Sequence, residues 1–64
     1  MTDEEMINAA KQVDGLGGMT VNERLFASGL MDEFERASKV DKAKARRILE
    51  LLQVDEPSIA QMIR

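Results

Sequence analysis

The sequence contains no cysteine, histidine, tryptophan or tyrosine, and its only aromatic side chains are two phenylalanines. These absences exclude disulfide bonds and zinc sites built from cysteine and histidine. They also exclude thiol nucleophiles and histidine-based triads, so acid–base catalysis would require carboxylates or lysines with strongly shifted pKa values. A chain of 64 residues has little interior in which to bury such a group. We therefore expect a non-enzymatic protein with no cofactor, no metal and no small-molecule substrate.

Long apolar runs are also missing. No stretch approaches the roughly 18 consecutive apolar residues of a membrane span, and the chain begins with the acidic segment 1–5 where a signal peptide would be basic. We expect no contact with a membrane. The absence of cysteine is compatible with a reducing compartment, and we expect a cytoplasmic protein.

The residues that are present favour helices, because no segment alternates apolar and polar positions as a strand would. With 44% hydrophobic and 33% charged residues, the composition is that of a globular protein. We predict one small all-α domain over residues 1–64. An N-terminal helix over about 3–13 and a Gly-rich linker over 14–19 precede an antiparallel helical hairpin over about 20–39 and 41–53. A short C-terminal helix over about 56–63 follows.

Capping residues mark where these helices begin. Thr2 with Glu5 and Thr20 with Glu23 have the T-x-x-E spacing of a capping box. Asp41 is the predicted cap of the following helix. Within 20–39, a stripe at spacings of four, four and three predicts a core face, formed by Phe26, Leu30, Phe34 and Ala37.

Two patterns that resemble functional sites have simpler interpretations. The acidic residues Asp32, Glu33 and Glu35 spread around a helix, and we expect them to form a solvated face. The glycines of segment 14–18 lack both the preceding strand and the third glycine of a dinucleotide site, so we interpret the segment as a connector.

A basic segment over 39–47 is a stronger candidate for a binding site. It contains five of the chain's nine basic residues, and its candidate patch is Lys42, Lys44, Arg46 and Arg47. A helix that presents these cations could follow phosphates. The only two rings, however, belong to the predicted core stripe, so stacking aromatics are missing.

The first half of the second predicted helix is apolar nearly all around, and this favours burial on more than one side. Either the same chain covers the excess apolar surface or a second chain does. The small residues Ala27, Ser28 and Gly29 would allow close approach of another helix. The candidate self-association residues are Val21, Leu25, Gly29, Met31 and Met62.

The segment Met19–Phe26 (MTVNERLF), the segment Gly29–Phe34 (GLMDEF) and the later pair Ile48-Leu49 resemble short helical proteins of proteobacteria that begin MTVNERL. The resemblance covers about residues 19–56. It implies a small cytoplasmic helical protein of no established activity and carries over no catalytic residue. It also implies that residues 1–18 are an upstream extension or an added segment, and that related chains continue beyond Pro57.

Together these patterns predict a bacterial protein–protein interaction or self-association module, with a homodimer formed through the second helix. The alternative is a small regulator that contacts nucleic acid through residues 39–47.

Overall fold

A computed structural model describes residues 1–63 and consists of short α-helices, with no β-strand in that range. The all-α prediction is confirmed. The helices are α1 (Asp3–Lys11), α2 (Val21–Ser28), α3 (Met31–Val40), α4 (Lys42–Leu51) and α5 (Glu56–Met62).

The predicted capping residues begin these helices. The hydroxyl of Thr2 accepts from the Glu5 backbone N–H at 3.2 Å, and a Glu5 carboxylate oxygen accepts from the Thr2 N–H at 2.8 Å. Thr20 and Glu23 form the same box at the start of α2. Asp41 caps α4 by accepting from the Lys44 N–H at 3.2 Å. Each such cap contributes about 1 kcal/mol, which is substantial for helices this short.

The predicted linker over 14–19 folds into a 3-10 turn at Leu16–Gly18. Gly15 begins this turn in the left-handed region at φ 76°, and Leu16 packs against the core. The N-terminal helix ends at Lys11, somewhat before the predicted position 13. The connector is therefore part of the packed structure.

The prediction of one helix over 20–39 is wrong, because the chain breaks at Gly29 into α2 and α3. Gly29 adopts the left-handed conformation at φ 76° and ψ 14°, where a side chain would be strained. The Leu30 N–H then donates to the Leu25 carbonyl at 3.0 Å, and the Gly29 N–H donates to the Phe26 carbonyl at 3.1 Å. This is the Schellman arrangement that ends a helix. The antiparallel hairpin consists of α3 and α4 only.

The break changes which side chains face the core. Leu30, Phe34 and Ala37 are buried as predicted. Phe26, in contrast, faces solvent and is 81% exposed. Leu25, only 1% exposed, supplies the core contact of α2 in its place. The placement of Phe26 in the core stripe is therefore wrong, because the turn at Gly29 gives α2 a different rotation from α3.

The core centres on α4, which packs most extensively against α3 and also contacts α1. Ala45, Ile48 and Leu49 of α4 are fully buried there.

Arg24 of α2 binds the C-terminal end of α4. Its guanidinium donates to the Leu52 carbonyl at 3.1 Å and to the Gln53 carbonyl at 2.9 Å. A cation placed at the C-terminal end of α4 is favourable for the helix dipole.

Substitution of Gly29 tests whether the left-handed turn determines this arrangement. Gly29→Ala should lower the free energy of unfolding by about 1–2 kcal/mol, because an L-residue is strained at this φ. Gly18→Ala is the matched control: its backbone lies outside the left-handed region and a Cβ there would meet no atom within 4 Å. The control should be neutral or stabilising by about 0.5 kcal/mol. Urea denaturation followed by circular dichroism measures both, and equal effects would contradict the assignment.

Candidate functional site

The predicted basic patch is largely paired with carboxylates of the same chain. Lys44 contacts Glu33, and Arg46 lies 2.9 Å from both carboxylate oxygens of Glu56. The Arg47 Nε atom donates to the Asp3 carboxylate at 3.0 Å. Lys42 lies at the start of α4, where its side chain is exposed.

Two of these ion pairs join α4 to other helices. The Asp3–Arg47 pair joins α1 to α4, and the Arg46–Glu56 pair joins α4 to α5. The hydrogen bond from Arg47 lowers the pKa of Asp3, and Glu56 raises the pKa of Arg46. Arg46 and Arg47 thus hold α4 against α5 and α1.

The prediction that the acidic residues of α3 form a solvated face is wrong for Glu33, which is buried. It is 9% exposed, and it contacts Lys44, the Arg36 guanidinium at 3.1 Å and the Met1 amine at 3.2 Å. The hydrogen bond from Lys44, followed by that from the Met1 amine, lowers the pKa of Glu33 to about 2. Glu33 is therefore a permanently charged link between α3 and α4 at neutral pH, while Asp32 and Glu35 are exposed as expected.

The candidate self-association residues do not form one surface. Leu25 is buried in the chain's own core, and Val21 is partly buried against it. Gly29 ends α2, and a Cβ at this position would meet no atom within 4 Å, so no close helix approach explains the glycine. Met62 is exposed on α5. Of the five, Met31 lies on an apolar surface beside α2.

That surface is an open groove between α2 and α3, with a volume of about 670 Å³. One wall consists of Met19 and the exposed face of α2, with Asn22, Glu23, Phe26 and Ala27. The other wall is Met31 and Glu35 of α3. We call this surface the Phe26 groove. Sequence reasoning missed it because Phe26 was assigned to the core.

No helix within residues 1–63 is long and apolar enough to cross a bilayer. In the same range, no group of three or more acidic side chains is placed to hold a metal ion.

Comparison with known protein families, with curated proteins and with solved structures finds no match for this chain. The resemblance to proteobacterial proteins that begin MTVNERL stays a prediction.

The buried charge of Glu33 predicts a pH-dependent contribution to stability. Glu33→Gln should lower the free energy of unfolding at neutral pH, because it removes the charge that Lys44 and Arg36 face. A carboxyl whose pKa is lowered on folding stabilises above its ordinary pKa and loses that contribution as the pH falls through the folded value. The difference between wild type and variant should therefore shrink between pH 4.5 and about 2.

The matched control is Glu35→Gln, in which the same charge is removed from an exposed position of the same helix. It should leave the free energy of unfolding within about 0.5 kcal/mol of wild type. Urea denaturation over a pH series measures all three proteins. A Glu33→Gln protein as stable as wild type at neutral pH, or a difference that does not change with pH, would contradict this role of Glu33.

Proposed function

We propose that this chain is a non-enzymatic protein-interaction module that holds one amphipathic helix of a partner protein in the Phe26 groove. The observation that carries the proposal is the exposure of Phe26, whose side chain is 81% exposed. It lies beside Met19, Ala27 and Met31 and so forms an apolar strip with them. Aromatic residues and methionine are enriched in protein interfaces, where a few such anchors supply most of the binding energy.

The shape of the groove supports a helix as the occupant. Its walls are the faces of two helices that pack against each other, with Asn22 and Phe26 one turn apart on α2 and Met31 and Glu35 one turn apart on α3. Helices pack by inserting side chains at spacings of three and four into grooves of this kind. The thioethers of Met19 and Met31 can adapt to anchors of different shapes.

The carboxylates support a role without catalysis. A general acid or base at neutral pH needs a pKa raised towards 7. Wherever the pKa of a carboxyl group within residues 1–63 departs from its ordinary value, it is lowered by hydrogen bonds to the charged form; these groups are Asp3, Glu5, Glu23, Glu33 and Asp55. These side chains cap helices or join them.

Nucleic-acid contact through residues 39–47 is less well supported, because Lys44, Arg46 and Arg47 already face carboxylates. A homodimer through the second helix and a bacterial, cytoplasmic origin stay predictions. For the homodimer, Leu25 no longer belongs to the candidate contact, since its side chain is buried.

A peptide titration tests the proposal with the full chain. The probe is a helical peptide with leucines at spacings of three and four and glutamine on its other faces. Its addition should shift the ¹H–¹⁵N resonances of the Phe26 groove. Phe26→Ser should weaken binding at least about tenfold, because it removes the central apolar anchor. The variant should still fold, since an exposed side chain contributes little to stability.

Val40→Ser is the matched control, because Val40 is 85% exposed and does not line the groove. This variant should bind the peptide as the wild type does. Resonance shifts outside the groove, or equal losses of affinity in the two variants, would overturn the proposal.

A further inference from the structure

We infer that the partner helix is basic, with lysine or arginine side chains flanking its apolar anchors and facing Glu23 and Glu35 across the Phe26 groove. This inference rests on the proposed function and specifies the chemistry of the partner.

The charges that line the groove all have one sign. Glu23 lies on the α2 wall and Glu35 on the α3 wall, and none of the described lining residues is a cation. Both glutamates are exposed, and each lies on a wall that also carries apolar side chains of the strip: Phe26 and Ala27 with Glu23, and Met31 with Glu35. A helix seated on this strip would place its flanking residues beside a carboxylate on each side. Complementary charge at such a rim selects partners and sets their orientation.

Glu23 is held in place before any partner binds. Its Oε1 atom accepts from the Thr20 backbone N–H at 2.8 Å, and the Thr20 hydroxyl accepts from the Glu23 N–H at 3.2 Å. The capping box that begins α2 thus fixes the side chain at the edge of the groove. These hydrogen bonds hold the pKa of Glu23 below its ordinary value, so the Glu23 carboxylate stays charged under mildly acidic conditions. The capping box uses the Oε1 atom of the Glu23 carboxylate. A carboxylate can accept hydrogen bonds at both of its oxygens, so Glu23 can accept from the box and from a partner.

A second copy of this chain fits the same surface less well. Two copies that met through their Phe26 grooves would bring two pairs of carboxylates, Glu23 and Glu35 of each, around one apolar contact. Like charges at close range oppose association. A standard interface also takes about 800 Å² from each partner. That is about a fifth of the 4196 Å² that this protein exposes, whereas the groove walls are each about one helical turn long.

Three peptides that differ only in charge test the inference. They share the leucine anchors and carry lysine, glutamine or glutamate at the flanking positions. We expect the lysine peptide to bind the protein about three- to tenfold more tightly than the glutamine peptide, and the glutamate peptide to bind most weakly. Added salt should reduce these differences, because the rim is exposed.

The double variant Glu23→Gln/Glu35→Gln should remove the preference, so that the lysine and glutamine peptides bind alike. Glutamine can still complete a capping box, so the substitution at position 23 preserves the start of α2. Glu4→Gln/Asp14→Asn is the matched control: it changes the net charge equally at exposed positions outside the groove. This control should keep the preference for lysine.

The outcomes separate the inference from the proposal beneath it. Equal affinities for the three peptides, all weakened by Phe26→Ser, would overturn the basic partner and leave the interaction module standing. Failure of every peptide to bind, or binding that ignores Phe26→Ser, would overturn both. A dimer in sedimentation experiments whose formation shifts the groove resonances would identify a second copy as the occupant and contradict the inference.

Discussion

The left-handed turn at Gly29 separates α2 from α3 and lets each helix face the core with its own side. It ends α2 after Ser28 and allows Leu30, which is fully buried, to begin α3 from within the core. Because the turn gives α2 its own rotation, Leu25 faces inward and Phe26 faces outward. The groove between α2 and α3 exists because the two helices meet at an angle instead of continuing as one. A single backbone conformation thus links the core to the surface proposed for binding.

The sequence predicts the beginnings of the helices well, because a capping residue acts on backbone groups within three positions. Thr2, Thr20 and Asp41 are all found as caps. The break at Gly29 was missed because apolar residues keep helical spacing across it. A local sign was present: a glycine followed by Asp32 and Glu33 is typical of one helix that ends and another with an acidic first turn.

The site was harder to predict than the fold, because it depends on contacts between distant segments. The partner of Arg47 is Asp3, 44 positions away, and that of Lys44 is Glu33. Nothing in the spacing of the basic segment indicates these pairs. The cations that seemed available for phosphate are used to join short helices, whereas Glu23 and Glu35 remain on an apolar rim. The asymmetry between paired cations and rim carboxylates appears only in three dimensions.

The most direct test of this account is the solvent accessibility of the two phenylalanine rings, measured by NMR with a soluble paramagnetic agent. The chain has no other aromatic side chain, so the ring protons of Phe26 and Phe34 can be assigned separately. The structure places them at 81% and 9% exposure. We expect strong relaxation of the Phe26 ring and protection of the Phe34 ring. Equal protection of both would mean that Phe26 lies in a continuous core stripe, and would contradict the account.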